Sequence, residues 1–207
     1  MTRSLAVAAG VAALAFPSAA SAASLTVSPQ KPCYSNNESV NLLGTGFAPL
    51  GAANITRGSA VLGQLSTDAN GAFNGVLTLA QSSGRQTKTY TATDEADSSL
   101  TASVQIVVSS VRVGLKPANG APGRIMSINA HGFTTGKTLW AHVRRGRSKR
   151  NLKIGRVRGA CGNLKTRKRL LPQDAAVGVH TVQFDTFRRF DPDRPVRDTY
   201  AVTVTRF

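Results

Sequence analysis

Glutamate is almost missing from this chain. Only Glu38 and Glu95 occur in its 207 residues, and between Asp97 and Asp174 there is no carboxylate at all. Cysteine is limited to Cys33 and Cys161, tryptophan to Trp140, and histidine to His131, His142 and His180. Amphipathic runs of helix formers are absent, and no apolar stretch beyond the N-terminal leader approaches bilayer-spanning length. These absences exclude function classes. Residues 111–207 contain no Glu, their Asp residues gather near Asp185–Asp198, and no Ser, His and Asp set stands in a motif context. A paired-carboxylate or triad enzyme therefore has no basis here. No Gly-rich loop opens a helix to cradle a phosphate. The histidines fall on three separate expected strands without short ligand spacing, which is the pattern of ordinary strand residues rather than of a metal site. Asp68-Ala69-Asn70-Gly71 lacks the later bidentate Glu of a calcium loop, and a hairpin turn explains it. No enzyme activity, small-molecule substrate, metal or other cofactor is expected.

What is present begins with an export leader, residues 1–23. Arg3 gives a positive start, Leu5 to Phe16 an apolar core too short for a stable membrane anchor, and Ala20-Ser21-Ala22 a small-residue cleavage site. The Ala-rich leader has a bacterial composition. The mature chain is expected to be secreted or associated with the bacterial cell envelope, where two cysteines are readily joined.

The charge is large and local. There are 26 Lys and Arg against 10 Asp and Glu, a formal net charge of +16. Residues 24–110 hold four bases and five acids, whereas residues 111–207 hold twenty-one bases and five acids. From Arg144 to Arg169 twelve basic side chains occur with no acid between them. They include Arg144, Arg145, Arg147, Lys149, Arg150, Lys153, Arg156, Arg158, Lys165, Arg167 and Arg169, the candidate polyanion-binding residues, and Lys168. A block of this kind cannot neutralise itself and draws anions from outside. Outside a bacterial cell these are anionic wall polymers, acidic lipid headgroups and extracellular nucleic acid. No aromatic residues interleave with the block, which disfavours recognition of single strands by stacking.

Short alternating apolar segments separated by Gly, Asn and Pro mark an all-β chain, and the chain repeats itself. Ser28-Pro29 answers Lys116-Pro117, the run Val40 to Phe47 answers Ile125 to Phe133 through the closing Gly-Phe, and Gly63-Gln64-Leu65 answers Gly155-Arg156-Val157. The offsets stay near 90 residues, so two copies of one unit are expected in tandem, 24–110 and 111–207, with the boundary near Ser109-Ser110. These residues, together with Pro117, Gly120, Pro122-Gly123 and Gly132-Phe133, resemble bacterial immunoglobulin-like repeats of the IPT/TIG type. The resemblance implies two tandem immunoglobulin-like β-sandwiches in an exported protein.

In the second unit the alternation predicts strands near Val111–Leu115, Ile125–His131, Thr138–Arg144, Leu152–Arg158, Leu164–Leu171, Val179–Asp185 and Thr199–Arg206, with a bulge at Gly155. Trp140 is expected in the core, the alternative being a surface aromatic for glycan stacking. Phe184, Phe187 and Phe190 are expected to pack the loop before the last strand against the joint between units, the alternative being a contact patch with Arg188 and Arg189. Lys165, Arg167 and Arg169 share one strand face; Lys168 falls among the core-side residues. Counting strands up and down places Cys33 and Cys161 at that joint, which favours a disulfide between the units over free thiols or a bond to another copy. The Arg144–Arg150 loop then lies at the far, free pole. The reading is a non-enzymatic binding or adhesion module; the alternative is a structural spacer of the envelope.

Overall fold

Period-two alternation, interrupted where Gly, Pro or Asn clusters, marks most of the strands among the described residues. The computed structural model describes residues 22–205; residues 1–21 of the expected leader, Arg206 at the end of the last expected strand, and Phe207 lie outside the described residues. Fifteen strands and no helix occur among the described residues. In the N-terminal half, β1 (Ser24–Ser28), β3 (Ser39–Thr45) and β6 (Phe73–Thr78) form one sheet, ordered β1-β3-β6. Facing it is a sheet of β2 (Tyr34–Ser35), β4 (Ala52–Arg57), β5 (Ala60–Ser66), β7 (Arg85–Asp94) and β8 (Thr101–Ser109), ordered β2-β8-β7-β4-β5. In the C-terminal half, β9 (Arg112–Lys116), β10 (Ile125–His131) and β13 (Leu164–Arg169) form a sheet ordered β9-β10-β13. Opposite lies the sheet of β11 (Thr138–Arg145), β12 (Ser148–Arg156), β14 (Gly178–Asp185) and β15 (Asp198–Val204), ordered β12-β11-β14-β15.

Setting aside the two-residue β2, the strand orders of the halves coincide, β1-β3-β6 with β9-β10-β13 and β8-β7-β4-β5 with β15-β14-β11-β12. Each half buries its own apolar alternates, for example Leu42, Phe47, Ile55 and Phe73 in the first and Ile128, Phe133, Leu139 and Phe184 in the second. This is sheet-on-sheet packing with the core between two inner faces. Every strand expected for residues 111–207 is present, and the expected bulge falls where β12 passes from Lys153 to Gly155 opposite Trp140 and Leu139.

Four local expectations are corrected. Asn70-Gly71 makes a turn, capped by Asp68, whose carboxylate accepts the N–H groups of Asn70 and Ala72. It is not a hairpin, because it carries the chain from β5 in one sheet to β6 in the other. The Arg144–Arg150 segment, conversely, is not a loop. It is a hairpin in which Arg144 pairs with Lys149 and Arg145 with Ser148 around Gly146 and Arg147. Trp140 is half-buried on the outer face of its sheet, not in the core, because its partners Lys153 and Asp185 place it opposite Leu139 and Ala141. Phe190 packs over that same outer face, against His142 and Arg144, instead of against the joint.

The two halves meet where the cysteines lie. Cys33 and Cys161 form a disulfide, 128 residues apart in sequence. Beside it, buried Glu38 accepts from the Ser35 N–H at 2.9 Å and the Thr134 hydroxyl at 2.7 Å, and it pairs with Lys31. The Ser35 hydroxyl also bonds the carbonyl of Gly132, so residues of both halves share one network.

Candidate polyanion-binding flank

Beyond Arg144 and Arg145, which end the interior strand β11, the basic stretch folds into two edge strands and the turn between them. β12 ends the four-stranded sheet and β13 ends the three-stranded one, and the two edges are neighbours on the same flank of the C-terminal half. On β13, Lys165, Arg167 and Arg169 share the outer face, because their neighbours Leu164 and Thr166 pair with buried Ala130 and Ile128. Side chains two apart on a strand are spaced about 6.6–6.8 Å, so these three cations form a regular row. Lys168 pairs with buried Met126 on the inner face yet is exposed, because at an edge its long stem reaches past the core to water. On β12, Lys149, Lys153 and Arg156 lie on the outer face of their own sheet, opposite Arg144, Trp140 and Thr138. Arg158 follows in the turn between the two edges, bridged to Asn163. Arg147 and Arg150 complete the hairpin end.

Register adds cations that the linear sequence did not group with the block. Ser127 on β10 pairs with Arg167 on one side and with Lys116 of β9 on the other. Lys116 therefore stands across a single strand from the β13 row, about 10 Å away at ordinary strand spacing. Between them run Ser127 and Asn129, small polar side chains over which an extended polymer can lie. Arg112 closes the β9 end near the joint, beside Tyr200, whose ionisation is disfavoured first by burial and then by the charge of Asp198. Among the described residues none of the twelve basic side chains from Arg144 to Arg169 takes part in an ion pair.

Two of the expected site residues are engaged elsewhere. The Arg144 guanidinium lies 4.2 Å above the Phe190 ring and donates to Asn151 Oδ1 at 3.0 Å; burial lowers its pKa from the usual arginine value. It stacks as part of the fold. Arg145 Nη2 donates to the Val177 carbonyl at 2.6 Å, which ties the hairpin to the segment before β14. Beneath Arg144, His142 is fully buried between Asn151 Oδ1, 3.0 Å from its Nδ1, and Asp185 Oδ1, 3.1 Å from its Nε2. Arg144 can only donate, so the Asn151 atom it meets is the carbonyl oxygen, and His142 must donate to that oxygen as well. In the protonated ring both nitrogens donate, so this pocket favours the imidazolium form. Burial works against that charge, but the bonds to Asp185 and Asn151 and the Asp185 carboxylate outweigh it, and the net pKa is raised above 6.5. The three histidines do not converge, and no group of three or more potential metal ligands occurs among the described residues.

The same flank of the N-terminal half is a comparison surface within one molecule. There the two edges are β5 and β6, AVLGQLS and FNGVLT, without one charged side chain. The backbone plan is shared while the chemistry differs.

No protein-family model matches this chain, and no curated protein sequence matches it. Among solved structures it is similar to a red sea bream transglutaminase, with 14% identity, a TM-score of 0.30, and coverage of 88% of this chain. The chain spans 31% of the length of that protein. At this level the likeness carries no argument about activity.

Proposed function

We propose that this is an exported, envelope-associated binding module built from two tandem immunoglobulin-like repeats of the IPT/TIG type, in which the C-terminal half holds an anionic polymer along its basic flank. One observation carries the reading: equivalent edge strands are uncharged in one half and crowded with unpaired cations in the other. A solubilising surface needs charge of either sign and no particular strand, whereas here one sign lines two adjacent edges and the face beside them. The binding half therefore comprises Lys116, Lys149, Lys153, Arg156, Lys165, Arg167 and Arg169, and the near-neutral N-terminal half acts as a spacer.

The test is retention of the full chain on anionic wall polymer in a salt gradient, with DNA and anionic vesicles as parallel probes. Replacing Lys165, Arg167 and Arg169 with Ser lowers the elution salt on the polymer that is bound. With nucleic acid as the probe, each lost phosphate contact reduces the salt slope by about 0.7–0.9. Unchanged retention on all three probes contradicts the proposal. The joint favours a second reading, a rigid envelope spacer, because the Cys33–Cys161 bond and the Glu38 network both fasten the halves together. A spacer survives the triple substitution with its retention intact.

A further inference from the structure

The end of the C-terminal half farthest from the disulfide is open. Between the β11–β12 hairpin and residues 171–176 lies a cleft of about 640 Å³, within the size range of small-ligand sites. Its floor is the exposed end of the core, where Val143, Leu171 and Ala175 are themselves buried against the sandwich interior. Its lining carries two guanidinium groups, Arg145 and Arg150, together with one carboxylate, Asp174, and the His180 ring. Arg145 is positioned by its bond to the Val177 carbonyl, which uses only part of a five-donor head. Arg150 pairs with Val143, which puts it on the core side of the hairpin, above the floor. Beyond the rim Val177, whose carbonyl holds Arg145, is 45% exposed.

A hydrophilic polymer has no use for this floor, and an apolar ligand has no use for two guanidiniums. An anion with an adjoining hydrocarbon segment uses both. We infer that the cleft binds an anionic lipid, with its phosphate between Arg145 and Arg150 and the first methylenes of its acyl chain on Val143, Leu171 and Ala175. The inference stands apart from the polymer reading, since the β13 row takes no part in it.

The experiment titrates a short-chain phosphatidic acid, below its micellar concentration, into the full chain by calorimetry. Three variants accompany the wild type. Ala176→Trp fills the cleft from an exposed rim position with no change of charge. Arg150→Ser removes one exposed guanidinium. Lys165→Ser/Arg167→Ser/Arg169→Ser removes the polymer row. Saturable binding is expected, weakened at least tenfold by each of the first two and left within twofold by the third. Glycerol phosphate, which has the head without the chain, is expected to bind at least tenfold more weakly. Thermal melts establish that each variant is folded, and Arg150→Ser alone decides the matter where Ala176→Trp does not fold. No binding by the wild type, equal binding by a folded Ala176→Trp, or equal affinity for glycerol phosphate overturns the proposal. Loss of lipid binding in the triple variant does so as well, since it assigns the lipid to the polymer row.

Discussion

His142 shows how a charged group is kept inside a β-sandwich. Its ring gives both protons to oxygen, and the Asp185 carboxylate that faces it is further held by Gln183 Nε2 and the Phe187 N–H, each at 2.8 Å. A buried charge is tolerated only when paired and fully hydrogen-bonded, and this one is both. The cluster anchors the start of the segment between β14 and β15, which also lays Phe190 over His142 and Arg144. Its pH dependence follows from the raised pKa. Stabilisation is complete below the unfolded value near 6.5 and is lost as pH rises through the higher folded value. The thermal unfolding midpoint is therefore expected to fall from about pH 6.5 upward in the wild type and to lose most of that slope in His142→Gln. Equal slopes in the two proteins count against the imidazolium.

At the level of elements, two glycines do what no other residue can. Phe47 and Phe133, which close the two matching Gly-Phe runs, each donate the main-chain N–H to a glycine carbonyl, that of Gly71 and that of Gly162. Both glycines have positive φ, and a Cβ on either would lie 2.0 Å from the phenylalanine carbonyl oxygen. Gly146 in the hairpin turn also has positive φ, +52, but nothing lies within 4 Å of its would-be Cβ. Gly146→Ala thus carries only the backbone penalty, about 1–2 kcal/mol. Gly162→Ala adds a collision with main chain, and its urea midpoint is expected to fall by clearly more. Equal losses argue against the close approach. The Gly-Phe pairs were legible in the sequence because they recur at one offset. Their glycine partners were not, because that match is made across a loop. Asn70-Gly71 announced a turn, but local turn chemistry does not say which sheets its flanking strands join. The first half of β12 escaped notice because Ser148 to Asn151 are exposed on both faces of an edge, so no alternation marks them. The row Lys165, Arg167 and Arg169 was readable from period two, whereas the place of Lys116 beside it depends on register alone.

On the scale of the whole molecule, the same strand order recurs in the two halves with different surfaces, and a disulfide joins them. The Cys33–Cys161 bond closes a 128-residue separation, for which chain entropy gives a stabilisation of about 4–5 kcal/mol. Cys33→Ser/Cys161→Ser is expected to unfold at lower urea concentration. Its small-angle scattering is expected to show a broader spread of shapes, since the Glu38 network then acts without the covalent tie. Identical scattering would assign the orientation to that network. The charge asymmetry gives the sharper test of function. In Arg- and Lys-selective chemical footprinting of the full chain, read by mass spectrometry with and without saturating anionic polymer, the account predicts protection at Lys116, Lys153, Arg156, Lys165, Arg167 and Arg169. Arg57 and Lys88 of the N-terminal half remain as reactive as in the free protein. Protection spread evenly over both halves, or absent from the β13 row, would contradict it.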